Sequence, residues 1–205
     1  MLGTLSIYDG GDSIAISVGR GVAASDYVAV TGGADGLIAS LDKLLANGKQ
    51  FSNAVFTTHG VDGAINFKGD ITFINARWIQ NPKSGLAGKG YHRLFPHFPS
   101  IYFQGCNVAE GDNGWKFLEA VGSVLCLNGG SVSGRNTAGL GVRRNVGWAG
   151  FALAAAFLPI SSILTAASAW SGKKILDGEI IHPPWSDKKT VFFIHGGKVM
   201  LRWTE

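Results

Sequence analysis

Short hydrophobic runs broken by glycine fill the first 33 positions, where Gly, Ser and Val dominate. Ser13-Ile14-Ala15-Ile16-Ser17-Val18 and Tyr27-Val28-Ala29-Val30 read as strands separated by glycine turns. The period then changes. Leu37, Ile38, Leu41, Leu44 and Leu45 fall on one face of a helix over 35–47, which Asp35 can cap and Asn47-Gly48 can stop. The run Asn53-Ala54-Val55-Phe56-Thr57-Thr58-His59-Gly60 follows as a buried strand, a helix-to-strand step of the kind that builds parallel sheets. A second strand-like run, Ser100-Ile101-Tyr102-Phe103-Gln104-Gly105-Cys106, leads into a helix with Asp112 or Asn113 as its cap. Phe117, Val121, Val124 and Leu125 make the apolar stripe of that helix, and Asn128-Gly129-Gly130 ends it. Ser131-Val132-Ser133-Gly134 is a short strand or the start of one. The pattern predicts an α/β fold with a mostly parallel central sheet.

Residues 60–99 are interrupted by Gly and Pro, with a turn at 66–70 and a flexible loop at 82–90. Beyond 142 the pattern is different. Trp148 to Trp170 contains no charged residue, and Arg143-Arg144 and Lys173-Lys174 flank it. Its length and terminal tryptophans suit a membrane span. Its Ala and Ser content and the central Pro159 favour a broken pair of buried helices, so membrane contact through 148–170 is the less favoured reading. Thr190 to Trp203 reads as a β-hairpin turning at Gly196-Gly197. Residues 1–142 therefore form the expected core, with 143–205 as an apolar helical segment and terminal hairpin packed on the same domain.

Composition narrows the function classes. With 205 residues, 46% apolar and 16% charged, the chain is long and apolar enough for one domain with a real core. A net charge of +4 without any Lys/Arg cluster interleaved with aromatics argues against nucleic acid. Two cysteines, Cys106 and Cys126, make no disulfide framework. Scattered histidines and the absence of Cys-x-x-Cys or His-Glu-x-x-His give no metal-site signature. No cleavable secretion signal is visible, so a reducing cytoplasm is the default compartment, with export of an effector by another route left open.

The candidate chemistry lies at the ends of the two long strands. His59 and Cys106 each close an apolar run, each adjoins a glycine, and they stand 47 residues apart. Ligands bind at the carboxyl ends of strands in open α/β sheets. There an imidazole can take the proton of a thiol whose ordinary pKa is near 8.5. Attack on an amide carbonyl produces an oxyanion, for which the backbone N–H groups of Gly60 and Cys106 are the candidate donors. Cys126, on a packing helix, is expected to be inert.

Thr57-Thr58-His59-Gly60-Val61-Asp62-Gly63 and Gln104-Gly105-Cys106-Asn107-Val108-Ala109-Glu110-Gly111-Asp112-Asn113-Gly114-Trp115-Lys116-Phe117-Leu118 resemble caspase-like cysteine peptidases. The likeness is greatest to the bacterial branch found as a domain in large surface and repeat proteins. Gln104-Gly105-Cys106 with a histidine 47 residues upstream is also close to the caspase spacing. The resemblance covers about residues 30 to 136. It implies a caspase-type three-layer sandwich, a dyad of His59 as base and Cys106 as nucleophile, and neither metal nor cofactor. It implies a protein or peptide substrate and a pocket near Ser133 and Arg135. Arg135 in that pocket would select an acidic residue, whereas Asp62 or Asp112 there would select a basic one. For a toxin, an inhibitor or immunity protein is a conceivable partner, on which the sequence itself is silent.

Two other readings compete. Cys106 could pair with His182 or His195 in a papain-like peptidase or amidase, although there the cysteine opens its helix directly. Alternatively, the domain binds a partner or a membrane without turnover.

Overall fold

The chain is built as α/β around a mostly parallel sheet. The computed structural model describes residues 2–68, 72–136 and 189–204. The expected helical segment at 148–170, His182 and the basic pairs at 143–144 and 173–174 lie outside the described residues. In chain order the first half comprises β1 (Gly3–Asp9), α1 (Ser13–Arg20), β2 (Asp26–Val30), α2 (Gly33–Ala46) and β3 (Phe51–Thr57). Three short strands follow, β4 (His59–Val61), β5 (Ala64–Asn66) and β6 (Ile74–Asn75), then the one-turn α3 (Ala76–Ile79) and a 3-10 turn at Tyr91–Leu94. β7 (Ser100–Phe103), α4 (Gly111–Leu125), β8 (Gly130–Arg135), β9 (Lys189–His195) and β10 (Lys198–Thr204) complete the described chain.

The main sheet has the order β10-β9-β8-β7-β3-β1-β2. β2, β1, β3, β7 and β8 are parallel, while β9 and β10 run antiparallel at one edge. Register determines the two faces. Leu5, Ile7, Ala54, Phe56, Ile101, Phe103 and Val132 share one face, and all are buried. On that side Phe103 stacks on Phe56 at 4.7 Å and meets Phe117 of α4 edge-on at 4.9 Å. α2 joins the same layer through Tyr91, whose hydroxyl donates to Asp42 at 2.7 Å. α1 covers the opposite face, making a third layer, and Ser6 donates to the Gly19 carbonyl there at 2.7 Å.

The pattern at 13–18 misleads. Ser13–Val18 is not a strand but most of α1. Asp12 caps it by accepting the Ala15 N–H, and the small residues Ala15 and Gly19, four apart, form its buried face. A methyl at Gly19 would lie 2.4 Å from the Tyr8 Cβ, so the helix can approach β1 only with glycine there. The apolar alternation of Ile14, Ile16 and Val18 is left half-buried. β1, which the sequence pattern did not single out, is an interior strand between β2 and β3, with Leu5 and Ile7 fully buried.

The two longer helices, α2 and α4, and the terminal hairpin match their expected positions closely. The hairpin turns at Gly196-Gly197, both at positive φ, and it pairs through β9 with β8, extending the sheet. Gly122 of α4 leaves the space that Ile194 fills. The residue at the N-cap of α4 is Glu110, not Asp112 or Asn113, which fall inside the first turn. Among the described residues no helix is long and apolar enough to cross a membrane.

Candidate active site

β3 and β7 are neighbours, paired in parallel from Asn53↔Ser100 to Phe56↔Phe103. Gln104 extends this pairing by donating its N–H to the Phe56 carbonyl at 2.8 Å. His59 and Cys106 each lie three residues beyond the last pair, past the C-terminal ends of the two strands. The chains touch there. A methyl at Gly60 would lie 2.3 Å from the Cys106 carbonyl oxygen and 2.9 Å from the Cys106 nitrogen. A methyl at Gly105 would lie 3.1 Å from both the Gly60 Cα and the Thr58 carbonyl. The approach exists because both positions lack a Cβ.

His59 does not end the buried strand, as the run of apolar residues suggested. β3 stops at Thr57, and His59 opens β4 of a separate antiparallel sheet ordered β4-β5-β6. Thr58 makes the break, its hydroxyl donating to the Asn66 carbonyl of β5. The His59 side chain is 63% exposed. Its Nε2 lies 3.2 Å from Oδ2 of Asp12, whose side chain is only 16% exposed. Burial acts to raise the Asp12 pKa, but the Ala15 N–H, the His59 hydrogen bond and the His59 charge outweigh it, holding the carboxyl below its ordinary value. Sequence reasoning missed Asp12. The available signal was an acidic residue immediately before a helix start, hidden because the following residues read as a strand.

Asp9 fixes this corner from beneath. It is fully buried at the end of β1, accepting the Gly11 N–H at 2.8 Å and the Lys68 N–H at 2.6 Å. It thereby ties the loop that carries Asp12 to the segment following β5.

Cys106 is half-buried and forms no disulfide. It sits in the turn between β7 and α4, which is pinned to the end of β8 by the Ala109 N–H donating to the Arg135 carbonyl at 2.8 Å. Asn107 next to it takes the left-handed conformation at φ 53°, which Asn tolerates better than most residues. Cys126 is fully buried at the C-cap of α4, and burial pushes its thiol pKa up to about 12.

The remaining candidates are dispersed. Ser133 lies on β8 with its hydroxyl donating to the Ile101 carbonyl at 3.5 Å. Arg135, at the C-terminal end of the same strand, is 5% exposed and donates from Nε to the Tyr102 hydroxyl at 3.0 Å. Its Nη1 and the Asn107 Oδ1 are buried with no partner among the described residues. Asp62 is exposed at the β4–β5 turn and accepts from Asn113 Nδ2 at 3.1 Å. Asp112 lies in the exposed first turn of α4. His195 lies at the opposite end of the sheet from Cys106. It follows Ile194, which pairs with Gly130 at the start of β8, so the length of a strand separates it from the rim. That placement removes His195 from any pairing with Cys106. Among the described residues no cluster of His, Cys, Asp and Glu could hold a metal ion.

No protein-family model, curated protein or solved structure gives a significant match to this chain.

Proposed function

We propose that the chain is a cysteine endopeptidase of the caspase-like type, hydrolysing peptide bonds in a protein substrate or in its own flanking chain. The observation that carries this reading is the backbone contact between His59-Gly60 and Gly105-Cys106 at one sheet rim. In the proposed reaction His59 takes the Cys106 proton and the sulfur attacks the scissile carbonyl carbon. The amine leaves with that proton, and water, deprotonated by His59, then hydrolyses the thioester. Neither metal nor cofactor has a part in it.

Three further features support the reading. The order of the parallel strands, with β1 between β2 and β3, puts Asp12 and His59 beside a topological switch point, where α/β sheets bind ligands. The β4–β5 hairpin closes at Val61↔Ala64, so Gly60↔Ile65 is the non-hydrogen-bonded pair next along. The Gly60 N–H then turns away from β5 and can serve, with that of Cys106, as an oxyanion donor. Lastly, a buried guanidinium whose Nη1 lacks a partner among the described residues suits a carboxylate ligand. Arg135 thus favours an acidic residue before the scissile bond, with Ser133 lining the same strand, while Asp62 is already engaged by Asn113. Action as a bacterial effector or toxin, with an immunity protein as partner, extends the same proposal.

The test compares wild type, Cys106→Ala and His59→Ala on a mixed peptide library read by mass spectrometry. Wild type is expected to release defined products, with both variants losing that activity while retaining the wild-type circular dichroism spectrum. Cleavage by either variant at the wild-type rate overturns the assignment. Equally slow alkylation of Cys106 and Cys126 by iodoacetamide near neutral pH would instead favour a binding domain without turnover.

A further inference from the structure

We infer that Asp12 is a positioning residue, holding the His59 ring in the tautomer that leaves Nδ1 as the base for Cys106. The inference rests on the peptidase reading and adds a third member to it. The two oxygens of Asp12 have separate partners: Oδ1 accepts the Ala15 N–H at 2.8 Å, capping α1, and Oδ2 lies 3.2 Å from His59 Nε2. An ionised carboxylate only accepts, so the nitrogen facing it carries the hydrogen. A neutral imidazole has one N–H, and its other nitrogen, Nδ1, is left to accept a proton.

The anchoring is asymmetric. His59 is 63% exposed and would otherwise sample several rotamers, whereas Asp12 is 16% exposed and fixed by its cap. The loop before it is tied down as well, because Gly11 donates to the buried Asp9. When the Cys106 proton moves from Sγ to Nδ1, the ring becomes a cation with its Nε2–H still directed at the Asp12 carboxylate. The carboxylate stabilises that cation without taking a proton, as in the Asp of Ser-His-Asp triads.

Helix capping and ring positioning can be separated by substitution. In Asp12→Asn the Ala15 N–H still needs an acceptor, so the amide oxygen stays at the cap and the NH2 faces Nε2. The amide would then donate to Nε2 and drive the ring hydrogen onto Nδ1. Asp12→Ser retains a capping oxygen on a side chain too short to reach His59.

The experiment uses the full chain labelled with 15N at histidine, together with the rate at which iodoacetamide alkylates Cys106, followed by peptide mass spectrometry. Wild-type His59 is expected as the Nε2–H tautomer and Asp12→Asn as the Nδ1–H tautomer. Cys106 alkylation is expected to slow by about tenfold or more in both Asp12→Asn and His59→Ala, with Asp12→Ser intermediate, because the thiolate is the reactive form. If His59→Ala slows alkylation while Asp12→Asn leaves both tautomer and rate unchanged, the role of Asp12 is overturned and the dyad stands. If His59→Ala leaves the rate unchanged, the dyad itself fails and takes this inference with it. Thermal unfolding of Asp12→Asn close to wild type confirms that the cap has survived.

Discussion

Gly60→Ala tests the geometry on which the catalytic reading depends. The added methyl would begin 2.3 Å from the Cys106 carbonyl oxygen, 2.4 Å from a Val108 methyl and 2.9 Å from the Cys106 nitrogen, where ordinary contact starts at 3.4 Å. Two of these neighbours are backbone, and the Cys106 turn has little freedom to retreat. Gly105 is hemmed in by Val108 and the Thr58 carbonyl, and Ala109 is tied to β8. Relief therefore requires the His59-Gly60 chain and the Cys106 turn to part by about 1 Å, a misplacement that can cost about 100-fold in rate. Overpacking of this kind also destabilises by about 1–3 kcal/mol. In a domain of this size each kcal/mol lowers Tm by about 2–4 °C. The assay pairs thermal unfolding with Cys106 alkylation and cleavage of the peptide library. The control is Gly48→Ala, where φ is +64° and nothing lies within 4 Å, so it pays only backbone strain. Gly60→Ala is expected to lose Cys106 reactivity and cleavage, and Gly48→Ala to lose only stability. If both variants retain the wild-type alkylation rate, the contact at the rim has no bearing on the thiol, and the catalytic role of that contact is refuted.

Three other outcomes follow from the same structure. Arg135→Met removes a buried charge that has no carboxylate among the described residues, so Tm is expected to rise or hold while preference for an acidic residue before the cleavage site is lost; a fall in Tm with unchanged preference would refute the role. Because the folded-state pKa of Asp12 is lowered, its contribution to stability is complete above the unfolded value near 3.9 and disappears as pH falls through the folded one. Acid titration of unfolding below about pH 4 should therefore cost wild type more than Asp12→Ser, and parallel curves would contradict it. Phe103→Ala removes the ring between Phe56 and Phe117 and is expected to cost about 3–5 kcal/mol in denaturant unfolding, with a cost under about 1 kcal/mol excluding it from the core.

The chain itself specifies much of the scaffold. Helical period over 35–47 and the stripe from Phe117 to Leu125 locate α2 and α4 because each helix buries a single face. Gly196-Gly197 fixes the terminal hairpin because its turn needs two residues at positive φ. His59 and Cys106 were also legible as candidates, since reactive side chains beside glycine at the ends of apolar runs form a local pattern.

Tertiary structure decided the remainder. Period alone could not separate a strand from a helix at 13–18, because the choice turned on Ala15 and Gly19 fitting against Tyr8 and on Asp12 accepting a backbone N–H. Nor could it show that His59 leaves the main sheet, a switch set by Thr58 reaching β5. Asp12 and His59 lie 47 residues apart and meet only because β1 and β3 are neighbours. Strand order depends on which faces bury together, and no run of adjacent residues encodes it. The chain thus names its candidate side chains locally, while the packing of distant strands selects their partners.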